Sequence, residues 1–296
     1  MKPFQTFLIT TFALLSMSET SGQKPIFSFG IISDVQYCDC EPAGSRFYRL
    51  SADRLREAVN SFRNNSVDFI VNLGDLIDRD YESFKPVLEI LDSSGLKVYH
   101  VKGNHDYSVN DRYKRHLPLP MPGMEGYYSF SHGNFRFIAL DGNEVSTYAA
   151  SSRSSIKKAE AYLSLLKDSG NVNAISWNGG IGSGQLTWLK VRLDEATAGK
   201  EKVFILCHFP LYPDNLHNLL NYMEVNSLLG NYRNIIACFS GHNHSGNYGN
   251  FNMIHFVTMK GMVESNNSTS YAIVEVYDNR IRIKGAGREK SQILAF

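Results

Sequence analysis

The sequence FSFGIISDVQ, at residues 27–36, passes from an apolar run directly into two polar side chains, Asp34 and Gln36. The same arrangement recurs four times, where an apolar run of strand length ends in a short polar segment. These segments are Gly74-Asp75-Leu76-Ile77-Asp78, Gly103-Asn104-His105-Asp106, Cys207-His208-Phe209-Pro210 and Gly241-His242-Asn243-His244. Because the end of a buried strand is a rigid place from which to present a side chain, the five segments predict one composite site.

Apolar periodicity predicts how these strand ends are brought together. Predicted strands cover residues 27–32, 69–73, 98–101, 127–131, 135–140, 203–206, 235–239, 253–258, 271–276 and 280–284, and predicted helices cover 47–62, 83–94, 152–168, 183–199 and 216–229. Strands that alternate with helices and then follow one another indicate an α/β fold with two packed mixed β-sheets flanked by helices. In such folds ligands collect at the carboxyl ends of the strands, where the polar segments fall.

Composition limits the classes of function. The chain has 296 residues, of which 43% are hydrophobic, a content that suits one large domain. Its formal net charge is +1 and it has no run of Lys or Arg, so electrostatic capture of nucleic acid is not indicated. We expect a monomer whose partner is a small molecule.

Residues 1–22 have the layout of a secretory signal peptide. Lys2 precedes an apolar run from Phe4 to Leu15, and small residues follow up to Gly22. The apolar run is too short to span a bilayer comfortably, so no stable membrane insertion is expected after the leader is removed. The sequence thus predicts a periplasmic or secreted protein with a single domain at residues 23–296; the alternative is a cytoplasmic protein whose leader does not function.

The four cysteines do not indicate a disulfide framework or a structural zinc site. Cys207 and Cys238 lie within predicted buried strands, where a free thiol behaves as a small apolar residue. Cys38 and Cys40 are only two residues apart, a spacing that strains a disulfide and does not match the usual zinc-ligand pairs.

The residue types in the five polar segments suit two divalent metal ions, which prefer oxygen and imidazole ligands to thiolates. Asp75 follows the second strand and is the candidate bridge between ions roughly 3.5–4 Å apart that share a hydroxide able to attack phosphorus. His105 is the candidate acid for the leaving oxygen, with Asp78 or Asp106 to orient it. The remaining candidate ligands are Asp34, Gln36, Asn104, His208, His242 and His244.

The ordered set resembles the calcineurin-like metallophosphoesterase superfamily, whose pattern is D-x-H, G-D-x-x-D, G-N-H-[DE], H and G-H-x-H. Gln36 departs from this pattern, and Gln at that place occurs in the manganese-dependent ADP-ribose/CDP-alcohol diphosphatase branch. Further segments resemble that branch: Asn178-Gly179-Gly180, Gln185-Leu186-Thr187-Trp188-Leu189, His208-Phe209-Pro210-Leu211-Tyr212-Pro213 and Gly261-Met262-Val263-Glu264-Ser265. Two features depart from the branch, since Asp106 replaces a frequent Glu and the branch is typically cytosolic.

The resemblance implies a four-layer αββα sandwich and two bound ions. One ion would be held by Asp34, Gln36, Asp75 and His244, and the other by Asp75, Asn104, His208 and His242. It also implies that His105 is the transition-state acid. Mn²⁺ is the expected metal, with Mg²⁺, Fe or Zn²⁺ as alternatives, because the Gln36 carbonyl is a harder ligand than imidazole.

The expected reaction is cleavage of the diphosphate linkage in ADP-ribose or CDP-alcohols, which releases a nucleoside monophosphate. Candidate substrate contacts are Tyr37, Asn104, His105 and Tyr212, with Phe47, Tyr107 and Tyr248 as further residues that could stack on a base, and Arg46, Arg49 and Lys260 as residues that could meet a second phosphate. Packing or solvent exposure is the alternative role for each of these rings and cations. Alternative functions are a phosphomonoesterase or cyclic phosphodiesterase, a nuclease, and a non-catalytic binding module.

Overall fold

The computed structural model describes residues 23–122, 126–149 and 152–296, so the predicted leader lies outside the described residues. The strands are β1 (Phe27–Ile32), β2 (Phe69–Asn72), β3 (Lys97–His100), β4 (Tyr128–His132), β5 (Phe135–Ala139), β6 (Lys202–Leu206), β7 (Ile235–Ser240), β8 (Asn247–Phe251), β9 (Ile254–Thr258), β10 (Ser270–Val276), β11 (Arg280–Gly287) and β12 (Gln292–Ala295). The helices are α1 (Leu50–Asn64), α2 (Phe84–Asp92), α3 (Arg153–Asp168), α4 (Ser183–Ala198) and α5 (Tyr222–Leu229).

The strands form two six-stranded mixed sheets. The first has the order β12-β11-β10-β1-β2-β3, and the second has the order β4-β5-β6-β7-β9-β8. Parallel pairing joins β1 to β2 and β2 to β3 in the first sheet, and β5 through β6 and β7 to β9 in the second. The carboxyl ends of these parallel strands carry the five polar segments.

The two sheets pack face to face over an aromatic core. Phe29 and Phe69 of the first sheet stack with ring centroids 5.3 Å apart, and Phe137, Phe204 and Phe239 of the second sheet pack around Phe29. All five rings are almost completely buried. Burial of large aromatic side chains is the main favourable term in holding two such layers together.

Helices cover the outer faces of both sheets. Leu55 of α1 and Val87 of α2 belong to one apolar cluster with Ile70 of the first sheet. On the opposite side, α4 and α5 pack on the second sheet, where Leu189 joins Ile205. These contacts give helix, sheet, sheet and helix layers, so the predicted α/β fold, a four-layer αββα sandwich of two mixed sheets, is confirmed.

Three local features differ from the sequence prediction. The helix predicted at 216–229 begins only at Tyr222, because the side-chain amide of Asn173 binds the carbonyls of Asn218 and Leu219 and holds that stretch as a turn. Strands β8 and β12 were not predicted; β8 is a polar edge strand, which lacks the apolar alternation that reveals a buried strand.

Among the described residues, no helix is both long and apolar enough to cross a membrane.

The cysteines also differ in part from the prediction. The structure joins Cys38 to Cys40 in a disulfide, although the sequence analysis expected none, because the turn brings the two Cα atoms to 5.2 Å, within the range a disulfide requires. Cys207 and Cys238 are free and buried, as predicted. Burial raises the pKa of the Cys207 thiol to about 12.

Candidate metal centre

Asp75, directly after β2, lies at the middle of the site. Its Oδ2 accepts a hydrogen bond from Nε2 of Gln36 at 3.1 Å and lies 3.4 Å from Nε2 of His208, while Oδ1 accepts from the backbone N–H of His105 at 2.7 Å. Burial raises the pKa of this carboxyl, but the charges of His208 and His105 outweigh burial and hold the pKa well below its usual range. Asp75 is therefore an anionic acceptor placed among imidazoles.

His208, at the end of β6, points its Nε2 at two oxygens. Its Nδ1 donates to the carbonyl of Leu73 at 2.9 Å, and its Nε2 lies 3.2 Å from Oδ1 of Asn104 as well as close to Asp75. In the neutral ring the bond to Leu73 fixes the proton on Nδ1. The lone-pair atoms Nε2 of His208, Oδ1 of Asn104 and Oδ2 of Asp75 then converge with no hydrogen between them. Burial lowers the pKa of His208, but the charge of Asp75 and the hydrogen bond to it raise the pKa to about 9, so the neighbouring carboxylate favours positive charge at this ring.

A second group of ligand atoms surrounds Gln36. Nε2 of His244 lies 3.2 Å from Nε2 of Gln36 and 3.4 Å from Oδ1 of Asp34. The other ring nitrogen of His244 donates to Oε1 of Glu264 at 2.7 Å, a bond that lowers the pKa of Glu264 to about 2. Carboxylates in this position fix the tautomer of metal-binding histidines and raise their basicity.

His242 is oriented by Asn178. Its Nε2 lies 2.8 Å from Oδ1 of Asn178, whose amide nitrogen donates to the carbonyls of Asn173 and Leu216, both at 2.8 Å. Since those two bonds occupy the amide N–H groups, Oδ1 must accept from His242, and the neutral ring keeps Nδ1 as its lone-pair atom. Burial, followed by the charge of His208, holds the pKa of His242 well below its usual range.

These side chains fit a divalent metal ion. One ligand atom each from Asp75, His208 and His242 lies within 4.8 Å of the others, and all three residues are buried. Oε1 of Gln36 is buried and lacks a hydrogen-bond partner in the part of the chain that the structure describes, although buried amide oxygens are normally paired. A mixed set of carboxylate, amide oxygen and imidazole ligands suits Mn²⁺, Mg²⁺, Fe or Zn²⁺. The seven residues predicted as ligands are brought together in this candidate metal centre.

His105 borders the centre and is oriented by Asp78. Its Nδ1 lies 3.1 Å from Oδ1 of Asp78, and its ring is 24% exposed. Burial lowers the pKa of His105, but the charges and hydrogen bonds of Asp75 and Asp78 raise it overall. Arg46 approaches Oδ1 of Asp78 at 3.8 Å and Oε1 of Glu264 at 3.9 Å, so it lies between the two carboxylates that orient His105 and His244.

Asp106 does not orient the His105 ring, in contrast to the alternative raised from the sequence. Its Oδ2 accepts from the backbone N–H groups of Gly103 at 2.8 Å and Asp75 at 3.0 Å, and its Oδ1 accepts from Leu76 at 2.8 Å and Ile77 at 3.4 Å. Residues 105–107 form a 3₁₀ turn that directs consecutive side chains apart. Asp106 therefore ties the loop after β2 to the loop after β3.

Backbone conformation at the centre is unusual. Asp34, Gln36, Asp75 and His242 all have positive φ, between 44° and 65°, a region in which side chains other than Gly cost of order 1 kcal/mol or more each. Gly103 is required for close packing, since a Cβ there would lie 2.1 Å from Oδ1 of Asp75. Strain of this kind is typical of sites that hold ligands in a fixed geometry.

The predicted substrate residues are more dispersed. Tyr37 pairs with Ile77 and packs against the cluster beneath α1 and α2, and Tyr212 stacks near Phe251 with ring centroids 5.6 Å apart. A cleft of about 490 Å³ does adjoin Asn104; Tyr107, Lys114, Tyr148 and Trp177 are among the residues that line it. Arg49 instead pairs on the surface with Asp39 and Glu41.

Three residues at the centre were not assigned a role from the sequence: Asn178, Glu264 and His217. The Asn178-Gly179-Gly180 and Glu264 segments were noted only for their resemblance. His217 lies with its ring centroid 5.4 Å from that of His242; burial, then the charge of His244, lowers its pKa. These residues do not follow the end of an apolar strand run, so the pattern that marks the ligands does not reveal their contacts.

Comparisons with known proteins agree with this geometry. The model of the calcineurin-like phosphoesterase family matches residues 27–246. Proteins named manganese-dependent ADP-ribose/CDP-alcohol diphosphatase are similar to this chain: the one from Arabidopsis thaliana is 29% identical over 92% of this chain and 98% of the relative, and the one from Homo sapiens is 28% identical over 94% and 95%. The crystal structure of a dimetal phosphatase from Danio rerio superposes with a TM-score of 0.84, at 27% identity over 92% of this chain and 100% of that one.

Proposed function

The chain belongs to the calcineurin-like phosphoesterase family and is a metal-dependent hydrolase, and from this premise we propose that it cleaves the diphosphate linkage of ADP-ribose or CDP-alcohols with Mn²⁺. The observation that supports this most is the similarity, over more than nine-tenths of the chain, to relatives named for that activity. Gln36 supports the same proposal, since its carboxamide lies between Asp75 and His244 and would offer its carbonyl oxygen where an imidazole stands in the common pattern.

In the proposed arrangement two ions occupy the centre. Asp34, Gln36, Asp75 and His244 would hold one ion, and Asp75, Asn104, His208 and His242 would hold the other. The bound metal would polarise the phosphoryl oxygens and neutralise the charge that develops on them. Each candidate histidine ligand donates one ring N–H to a protein group: His208 to Leu73, His244 to Glu264 and His242 to Asn178. The other ring nitrogen of each histidine therefore keeps its lone pair for a metal ion.

His105 supplies the proton for the leaving group. Asp78 occupies its Nδ1, so Nε2 gives its proton to the bridging oxygen as the bond between that oxygen and the attacked phosphorus breaks. Water contributes the oxygen that joins the phosphorus. The products are a nucleoside monophosphate and a phosphorylated alcohol or ribose phosphate. A proton released by the attacking water returns to His105 and restores its starting state.

The cleft beside Asn104 is the proposed place for the nucleoside. Trp177 on its wall is 47% exposed, and an accessible indole face stacks well on a base. The cleft volume of about 490 Å³ lies within the range typical of small-molecule sites.

A product assay tests the proposed activity. Purified protein with Mn²⁺ is incubated separately with ADP-ribose, CDP-choline and p-nitrophenyl phosphate, and the products are separated by chromatography. AMP or CMP formed much faster than nitrophenol supports the diphosphatase. Nitrophenol as the main product, or no nucleoside monophosphate, contradicts it and favours a phosphomonoesterase on the same centre.

We also propose that the chain is exported, on the basis of residues 1–22 alone. Cell fractionation and N-terminal sequencing of the purified protein test this. A mature N-terminus after Ser18 or near Gly22 in the exported fraction supports it, and an intact N-terminus in the cytoplasm contradicts it.

A further inference from the structure

The imidazole of His217 lies against the candidate metal centre, in contact with the ring of His242. It lies on the turn between β6 and α5, is half-buried, and meets the ring of His242 at an interplanar angle of 81° with centroids 5.4 Å apart. Neither ring nitrogen has a hydrogen-bond partner among the residues that the structure describes. The ring is half-buried, so its nitrogens are open to a molecule that is not part of the protein.

The position of His217 is fixed relative to the centre. Its backbone N–H donates to Oδ1 of Asn215 at 2.8 Å, and the carbonyl of the preceding Leu216 accepts from the amide of Asn178 at 2.8 Å. The other end of the same Asn178 side chain accepts from His242. One carboxamide thus links the backbone turn that carries His217 to a candidate metal ligand, which fixes the position of this turn beside the site.

The surroundings of the ring indicate what it binds. The ring of His217 packs against that of His242, and the charges of His244 and Asp34 also act on it, so the ring lies beside the ligands of the candidate centre. His105, by contrast, is placed among Asp75, Asp78 and Arg46. The centre therefore has two imidazoles that are not candidate metal ligands. His105 lies beside Asp75 and Asp78, and His217 lies beside His242.

We propose that His217 is a substrate-contacting residue whose ring N–H donates a hydrogen bond to a phosphoryl oxygen of the substrate bound at the metal centre. This rests on the proposed function in that a phosphoryl group enters the centre. His217 would hold the oxygen that stays on phosphorus, and His105 would protonate the oxygen that leaves. A hydrogen bond to a charged acceptor contributes roughly tenfold or more to affinity.

The test measures phosphate binding by His217 variants of the Mn²⁺-loaded protein. His217→Phe keeps the ring packing on His242 and removes the N–H, whereas His217→Gln keeps a donor; His116→Phe, at an exposed histidine, is the matched control. Calorimetry gives the dissociation constant for inorganic phosphate, and elemental analysis gives the metal content. We expect about a tenfold weaker phosphate affinity for His217→Phe, less than about threefold for His217→Gln, and unchanged metal content in all three.

Unchanged phosphate affinity in His217→Phe overturns the proposal. An equal loss of phosphate affinity in the Phe and Gln variants, accompanied by a loss of metal, also overturns it, because His217 would then act only as a packing partner of His242. If His217→Phe does not fold, His217→Ala removes the ring without added bulk and gives the same comparison. The readout is independent of the substrate: a His217-dependent phosphate affinity in a protein that does not cleave ADP-ribose or CDP-choline would support the contact and contradict only the proposed function.

Discussion

Replacement of Asp106 by Asn separates a structural role from a catalytic one. The carboxylate accepts four backbone N–H bonds, at 2.8, 3.0, 2.8 and 3.4 Å, from two loops that carry candidate ligands. In Asp106→Asn the amide nitrogen replaces one oxygen and cannot accept, so two buried N–H groups lose their partner. Burial, and then the negative charge of Asp75, raises the pKa of Asp106 to about 7, so relief of this repulsion offsets part of the loss.

The expected loss of stability follows from the number of bonds. A buried N–H bond to a charged acceptor contributes roughly 1.5–3 kcal/mol. Because the relief of repulsion offsets part of the loss, we use the lower value, and two lost bonds then lower the free energy of unfolding by about 3 kcal/mol. For a domain of this size that corresponds to a fall in Tm of about 6 °C or more. Asp111→Asn, at an exposed carboxylate paired with Lys114, is the control and should change stability by less than about 0.5 kcal/mol.

The assay is thermal and urea unfolding of metal-free and Mn²⁺-loaded protein, followed by circular dichroism. Turnover is measured alongside with a good and a poor leaving group. If Asp106→Asn unfolds as the wild type does and loses kcat mainly on the poor leaving group, Asp106 acts on His105, and the loop-tying role derived from its four backbone contacts is wrong.

Four other perturbations have defined outcomes. His105→Ala should keep its metal content and lose most turnover, by about 10²-fold or more; equal kcat with good and poor leaving groups would remove His105 from the acid role. Glu264→Gln weakens the bond that orients His244 and should lower metal affinity about 10–100-fold, which metal titration checks and an unchanged affinity contradicts. Gln36→His should keep the fold, as seen by circular dichroism, and change the order of metal preference or of substrates, whereas identical profiles would show that Gln36 is only tolerated. Burial lowers the pKa of His100 to about 4, so protonation of this ring favours the unfolded state. The contribution of His100 to the free energy of unfolding is complete above about pH 6.5 and falls by about 3 kcal/mol towards pH 4. In urea unfolding His100→Gln should flatten this pH dependence, and an unchanged dependence would assign it to another group.

The local pattern of the sequence determined the layers and most of the candidate ligands. Apolar runs of four to six residues identify β1, β2, β6 and β7, because a strand buried on both faces needs apolar side chains at successive positions. Polar residues directly after such runs identify Asp34, Asp75 and His208, because parallel strands present their carboxyl ends at one edge of the sheet. Both signals depend only on neighbouring residues, so they can be detected without knowledge of the fold.

Tertiary structure alone decided the pairing of distant segments and the partners of the ligands. Phe27 of β1 pairs with Val276 of β10, and the choice of that neighbour depends on the packing of the whole sheet. Asp106 is adjacent to His105 in sequence and Asp78 lies 27 residues before it, yet the folded chain places Asp78 against the imidazole and Asp106 against backbone N–H groups. Asn178, Glu264 and His217 come from loops whose sequence has no periodicity. The roles of Asn178 and Glu264 arise because a buried imidazole needs a partner for its second nitrogen, and which residue supplies it is determined by the folded chain.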